Sequence, residues 1–199
     1  MLEARRRITS VSNKLWVFAH IQTDGKGRRG RVWIDPVGNF ASTCVFFPNT
    51  TLDKFALSSF TAALSLYDSL DYFSQSKANI SIKWPNDILL NGKKVAGILL
   101  ETIAVGQNKV ALSIGFGVNL ISYPETSELE ESAFSPTSFI AETGITLDPI
   151  DLLKNLALNF SKYEETLKAK GFSELRNILI SRIHKLGDQI VVKTTNETF

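Results

Sequence analysis

Cysteine is nearly missing from this 199-residue chain: one thiol, Cys44, excludes an internal disulfide. Set in the apolar run Ala41–Phe47, it reads as a small core hydrophobe. Histidine is scarce too; His20 and His184 have no histidine or cysteine partner at metal-ligand spacing, which argues against zinc chemistry. No run of about 18 apolar residues exists to span a bilayer, and the early arginines are not followed by the apolar stretch of a secretory signal. There is little net charge, +2 overall, so general nucleic-acid binding is not indicated. A Walker loop, a dinucleotide fingerprint and a Gly-x-Ser-x-Gly elbow are all lacking. What remains is a soluble globular protein suited to a reducing cytoplasm, long enough for one full hydrophobic core or one domain plus part of another.

Charge is instead concentrated. Between Gln22 and Trp33 stand three glycines and four basic residues in twelve positions, in the run Gly25-Lys26-Gly27-Arg28-Arg29-Gly30-Arg31. Glycine lets a backbone approach a ligand closely, and the cations suit a concentrated negative charge. A solvated basic loop has the same composition. The strand-like segments that flank the run, Leu15–Ile21 and Phe40–Phe47, favour a built anion site over a free tail.

Hydrophobic periodicity orders the rest. Met1–Arg7 reads as the end of a helix, Leu15–Gln22 as a strand and Phe40–Phe47 as another. From Leu52 to Phe73 the apolar positions Phe55, Ala56, Phe60, Ala63, Leu64, Tyr67 and Leu70 have helical spacing, with Thr51 or Asp53 to cap. Ile80–Lys83 is a short strand, and Ile88–Leu100 a hairpin turned at Asn91-Gly92, the pair favoured by type I′ turns. Lys109–Ile114 follows as a strand closed by Gly115–Asn119. These strands are expected to be antiparallel neighbours. Pro124–Ser135 reads as a mobile loop. Helices are expected at Pro136–Glu142, Pro149–Lys170 and Phe172–His184, and a last strand at Gln189–Lys193.

Lys83-Trp84-Pro85-Asn86-Asp87 sets an aromatic ring, a fixed φ and a carboxylate between two strands, with the proline acceptable only at a strand end. Asp87 is a candidate Mg²⁺ ligand, since that ion takes one or two carboxylates with phosphate oxygens; a turn-capping role for Asn86-Asp87 is the alternative. Lys94 gains interest by position, because neighbouring strands would bring it, Asp87 and the basic loop to one face. Gly97, Gly115 and Gly117, inside strand patterns, suggest places where a ligand lies against the backbone.

Four motifs in order, Gln22-Thr23 with the basic glycine run and Trp33, then Lys83–Asp87, then Lys94 with Ala96-Gly97-Ile98-Leu99, then Gly115–Asn119, closely resemble the biotin protein ligases. The likeness is strong over roughly residues 15–140 and looser beyond. It implies an α+β fold, a mixed and largely antiparallel central sheet with helices packed on it, akin to class II aminoacyl-tRNA synthetases. It also implies a two-step reaction: biotin and MgATP give biotinyl-5′-adenylate and pyrophosphate, and the acyl group then passes to one lysine of the biotin carboxyl carrier protein of acetyl-CoA carboxylase. By resemblance, Gln22, Gly25, Lys26, Gly27, Arg28, Lys94, Gly97 and Gly115 bind biotin. Arg29, Gly30, Arg31, Trp33, Asn86, Asp87 and Asn119 fall to ATP, with Trp33 as a stacking surface for adenine and Asp87 in the Mg²⁺ region. Arg28 and Lys94 are the expected catalytic pair.

Three departures accompany the resemblance. Lys26 stands where arginine is usual, keeping the charge but not the bidentate fork. Asp24 replaces a small residue and should offset part of the loop's charge. The Ser-Thr-Asn segment expected about twenty residues before Gln22 has no clear counterpart. Residues 1–185 accordingly read as a catalytic domain short of its first strand, and 186–199 as the start of a small C-terminal β-barrel. With no winged helix ahead of the catalytic part, DNA is not an expected partner, nor is a membrane; a homodimer is left open. A lipoate or octanoate ligase and a catalytically impaired biotin-binding module are the alternatives. The segments Asp24–Val32 and Tyr123–Phe134 are expected to be mobile when empty and to close over the adenylate.

Overall fold

The computed structural model describes residues 2–10, 12–106, 109–124 and 134–188. Six strands form one sheet: β1 (Leu15–Ala19), β2 (Phe40–Phe46), β3 (Ile80–Lys83), β4 (Asp87–Leu90), β5 (Lys93–Val105) and β6 (Lys109–Val118). They lie in the order β1-β2-β6-β5-β4-β3, and every paired couple is antiparallel. Among the described residues five α-helices accompany them: α1 (Leu2–Arg7), α2 (Leu57–Ser74), α3 (Phe139–Thr143), α4 (Pro149–Lys170) and α5 (Phe172–Ile180).

Alternation along the strands gives the sheet two unlike faces. Phe40, Cys44, Phe46, Leu112, Ile114, Phe116, Val118 and Ile98 point to one side and form the main core with Leu64, Leu66, Leu70, Leu156 and Phe160 of α2 and α4. Burial pushes the Cys44 thiol up, well out of reach of ionisation. On the other face Val45, Ile103 and Ala111 pack with Ala4 and Ile8, flanked by Leu15, Val17 and Val105, at the end of the sheet nearest α1. The remainder of that face is left for the site.

Among the described residues the sequence expectations are met in order and type, with shifted ends. Asn91 and Gly92 both have positive φ, 49° and 77°, as the expected hairpin turn requires. β1 stops at Ala19 rather than Gln22, and α5 at Ile180 rather than His184. The first turn of the Leu52 helix is a separate 3-10 turn, Leu52–Lys54, with no side-chain cap from Thr51; α2 itself begins at Leu57. The third helix is α3, three residues later than Pro136, because Ser138 takes the N-cap and accepts from Ala141 N. α4 has the expected bounds, opened by the Asp148 cap with Pro149 and ended at Gly171. Gly115 and Gly117 do not close β6; the strand runs through them to Val118 because both lie in the ladders to β2 and β5. The expected strand at Gln189–Lys193 and most of the Pro124–Ser135 loop lie outside the described residues.

Candidate active site

The open face of the sheet is floored by three rows read across the ladder: Ala19, Ala41, Gly117 and Gly97; then Val17, Thr43, Gly115 and Leu99; then Leu15, Val45, Ser113 and Glu101. Two glycines in one row leave a flat depression, and Trp33 lies in it. A Cβ added at Gly117 would sit 2.5 Å from Trp33 Cε2, and one at Gly97 would sit 3.1 Å from Cζ3. Trp33 thus packs on the sheet instead of standing out as a free platform for adenine, and its Nε1 is buried with no partner among the described residues. The surface over Gly97 is taken by this ring rather than left for a ligand.

Trp33 is delivered by the basic run, which folds as a narrow hairpin. Trp33 N donates to Gly25 O at 2.9 Å, Gly27 N to Arg31 O at 2.8 Å, and Lys26 bridges Val32. A side chain at Gly25 would meet the Trp33 carbonyl oxygen at 2.2 Å, so glycine is required there for the hairpin to close. The tip, Arg28–Gly30, is a 3-10 turn with Arg29 at φ 59° and Gly30 at φ 75°. Asp24–Val32 is therefore a bonded hairpin here, and Asp24 pairs with Lys26 at 3.2 Å, both side chains more than half exposed. Gln22 is half-buried just past the end of β1.

The second and third motifs meet the first. Arg28 donates to Asn86 Oδ1 at 3.1 Å, and Asn86 Nδ2 donates to the Ile98 carbonyl at 2.9 Å, which anchors the loop cation to β5. Lys94 Nζ is 2.9 Å from Asp87 Oδ1 and 5.6 Å from the Trp33 ring centroid, within cation–π range. Lys94 reaches this face through a bulge: the β4–β5 register slips between Ile88 and Leu89, so Val95 and Ala96 both enter the helix-side core. Strict alternation from Gly97 would have sent Lys94 the other way. Its backbone is pinned as well, Lys94 N donating to Ser135 O and Thr137 N to Lys94 O. Glu142 secures that strap by accepting from Thr137 Oγ1, Asn91 and Lys93.

Asp87 is buried, and its other oxygen is 3.7 Å from Lys83 Nζ. With lysine ammoniums at both oxygens, the carboxylate does not fit an open Mg²⁺ ligand. Among the described residues no group of three or more His, Cys, Asp or Glu is placed to hold a metal. Asn119 is a structural hub: its Nδ2 donates to Thr137 O, its N to Val95 O, and its carbonyl accepts from Phe139 N. Two further polar groups are buried with no motif to mark them. Asp35 has a buried Oδ1 with no partner among the described residues, and burial pushes its carboxyl up to about 6. Ser113 Oγ in the third row is buried, with no partner among the described residues. No local pattern marks either one; only the register places Ser113 beside the glycine floor.

The structure therefore gathers Arg28, Asn86, Asp87, Lys94, Gly97, Gly117 and Trp33 into one site of cations over a glycine floor. Residues 1–119 match the profile described as the biotin/lipoate A/B protein ligase family. A biotin–[acetyl-CoA-carboxylase] ligase of Paracoccus denitrificans is 43% identical over 192 residues, 96% of this chain and 80% of that protein.

The chain belongs to the biotin/lipoate A/B protein ligase family.

The bifunctional ligase/repressor BirA of Bacillus subtilis is 31% identical over 92% of this chain, which spans 56% of that relative's length. In fold, this family member superposes on the biotin protein ligase of Aquifex aeolicus in complex with biotin and ATP with a TM-score of 0.78 at 24% identity, over 98% of this chain and 80% of that one. The biotin protein ligase of Leishmania major in complex with biotinyl-5-AMP superposes at 0.75, with 19% identity over 98% of this chain and 82% of that one. The expected α+β class and antiparallel sheet of the ligase fold are thereby met. No helix among the described residues is long and apolar enough to cross a membrane.

Proposed function

We propose that this chain is a biotin–[acetyl-CoA-carboxylase] ligase. The observation that carries the reading is the joining of two distant motifs at one point: Arg28 held on Asn86 and Lys94 held on Asp87, both beside the Trp33 wall and the glycine floor. In the first step a biotin carboxylate oxygen attacks the α-phosphorus of ATP, the bond to the bridging oxygen breaks, and pyrophosphate leaves with its electron pair. Two anions must approach each other for this, and preorganised cations are the means. Lys94 faces the carboxylate, and Arg28 the phosphate as charge accumulates on it. Mg²⁺ enters as part of the substrate MgATP.

In the second step the neutral amine of a carrier-protein lysine attacks the acyl carbon, the bond from that carbon to the phosphate oxygen breaks so that AMP departs with the electron pair, the nitrogen loses a proton to water, and an amide is left. Gln22, Gly25, Lys26, Gly27 and Gly115 complete the biotin side, and Arg29, Gly30, Arg31 and Asn119 the nucleotide side. Asn119 acts through the backbone it fixes. Residues 1–185 form the catalytic unit. The acceptor is the biotin carboxyl carrier protein in the cytoplasm; DNA has no part in the reading. A second copy has room to add along β5 from Leu99 to Val105, which among the described residues is laddered on one side only, to β6.

The family description covers lipoate ligases as well, so the test is a ligand panel. Purified chain, ATP, a carrier domain and either biotin or lipoate are incubated, and the acceptor is weighed by mass spectrometry. A single biotinyl adduct that vanishes when the acceptor lysine is replaced by arginine is expected. A lipoyl adduct with biotin inert would refute the proposal.

A further inference from the structure

Lys94, one of the two cations of the proposed pair, stands where the sheet gives its backbone little support. The ladder between β5 and β6 ends at Ala96 and Val118, so on that side Lys93 and Lys94 run past the end of β6. On the other side the register to β4 slips between Ile88 and Leu89. A bulge re-aims a side chain but disrupts the local ladder. Another element must hold the backbone from which this ammonium reaches Asp87.

That element is the strap Ser135–Thr137, which takes the place of β6. Lys94 N donates to Ser135 O at 2.8 Å, and Thr137 N to Lys94 O at 2.9 Å. Thr137 is buried, and its carbonyl also accepts from Asn119 Nδ2 at 3.0 Å. One carboxylate then fastens the strap to the hairpin: Glu142 Oε1 accepts from Thr137 Oγ1 at 2.6 Å and from Lys93 Nζ at 3.0 Å, and Oε2 from Asn91 Nδ2 at 2.8 Å. The Glu142 side chain is 10% exposed, so water competes weakly for these bonds. Its base is firm, because α3 is rooted by the fully buried Phe139, whose N donates to Asn119 O, and by Ile140 N on Leu120 O. Glu142 therefore grips both the residue before Lys94 and the strap residue bonded to Lys94.

We propose that Glu142 is a positioning residue for the activation step, clamping the strap onto β5 so that Lys94 meets the reacting carboxylate. This rests on the ligase reading of Lys94. Glu142 acts through the Lys94 backbone and on no reacting atom.

Two variants open the clamp by different routes. Glu142→Gln keeps the shape but not the charge, and its amide nitrogen must face a donor. Thr137→Val keeps the shape and loses only the hydroxyl. A shift of about 1 Å can cost about 100-fold in turnover, so each should lower kcat for biotin-dependent ATP–pyrophosphate exchange about 10- to 100-fold. Thr137→Ser, which keeps the hydroxyl, should stand well above Thr137→Val, and hydrogen exchange at the Lys94 amide should quicken in Glu142→Gln. The deciding arm is a double-mutant cycle. In a Lys94→Ala background Glu142→Gln should lower the residual exchange by less than about twofold, since the residue it positions is gone; Thr137→Val serves in the same cycle if Glu142→Gln unfolds. A purely structural role would carry its full loss into that background. Wild-type kcat in folded Glu142→Gln and Thr137→Val, or an undiminished loss beside Lys94→Ala, would overturn the proposal and leave the ligase reading intact. Wild-type chain without biotin-dependent exchange would overturn both.

Discussion

Adding one methyl group at Gly117 tests whether Trp33 belongs on the sheet. In Gly117→Ala the new carbon would lie 2.5 Å from Cε2, 2.6 Å from Nε1 and 2.8 Å from Cζ2 of the indole. Apolar carbons rest about 3.5–4.0 Å apart, so the ring must retreat by about 1 Å. The Trp33 backbone cannot take up the shift, because its N–H is bonded to Gly25 O and the hairpin behind it is closed by Gly27 and Arg31. The indole must rotate off the glycine floor. Overpacking of this kind costs about 1–3 kcal/mol. At about 2–4 °C per kcal/mol for a domain of this size, the melting temperature should fall measurably. Displacing a positioning wall by about 1 Å can lower turnover by about 100-fold. The assay is biotin-dependent ATP–pyrophosphate exchange at saturating substrates, beside thermal unfolding. In a Trp33→Ala background the same Gly117→Ala change should cost under about 0.5 kcal/mol, as expected when the clashing group is gone. Gly117→Ala with wild-type melting and wild-type exchange would refute the packing argument.

Further outcomes follow from the same geometry. Arg28→Ala should keep the wild-type melting temperature, since Arg28 is exposed, yet lose about 10²–10³ in exchange rate; unchanged exchange would remove Arg28 from the site. Lys94→Ala should lose exchange similarly and also unfold earlier, because Asp87 is left buried with only the longer Lys83 contact; denaturant melts check this. Asp35 binds its proton more tightly folded than unfolded, so its contribution is favourable below about pH 4 and is lost as pH rises through about 6. Asp35→Asn should therefore stabilise the chain at pH 7 by about 1 kcal/mol, after allowance for solvent screening of a half-exposed group, and give no gain at pH 4 in parallel melts. Asp68 accepts from Tyr163 at 2.5 Å and from Arg182 at 2.7 Å, tying α2 and α4 to the segment after α5, and burial with this carboxylate pushes the Tyr163 phenol up to about 12. Asp68→Ala should cost about 2–4 kcal/mol by stranding a partly buried arginine, with exchange at 25 °C little changed.

Much of the fold was legible because its signals are local. Asn91-Gly92 announced the β4–β5 hairpin, and Asp148-Pro149 with Gly171 bounded α4. Strand ends were less legible: Gly115 and Gly117 looked like punctuation, yet ladders on both sides override their weak β preference. The meeting of the basic loop, Asn86-Asp87 and Lys94 was anticipated from motif order, but the bulge that aims Lys94 leaves no mark in the sequence. Trp33 could be placed in the site but not on its floor, since only the register brings Gly97 and Gly117 side by side. Asp35 and Ser113 escaped notice for the same reason: a buried, unpartnered atom is a property of packing, which one sequence does not display.

The central claim is that the Arg28–Lys94 site joins a biotin carboxylate to the α-phosphate of ATP. Biotin-dependent ATP–pyrophosphate exchange measures that step alone, without any carrier protein. The account predicts exchange with biotin, none without it, and its collapse in Arg28→Ala at unchanged melting temperature. Full exchange in that variant, or exchange that does not depend on biotin, would contradict it.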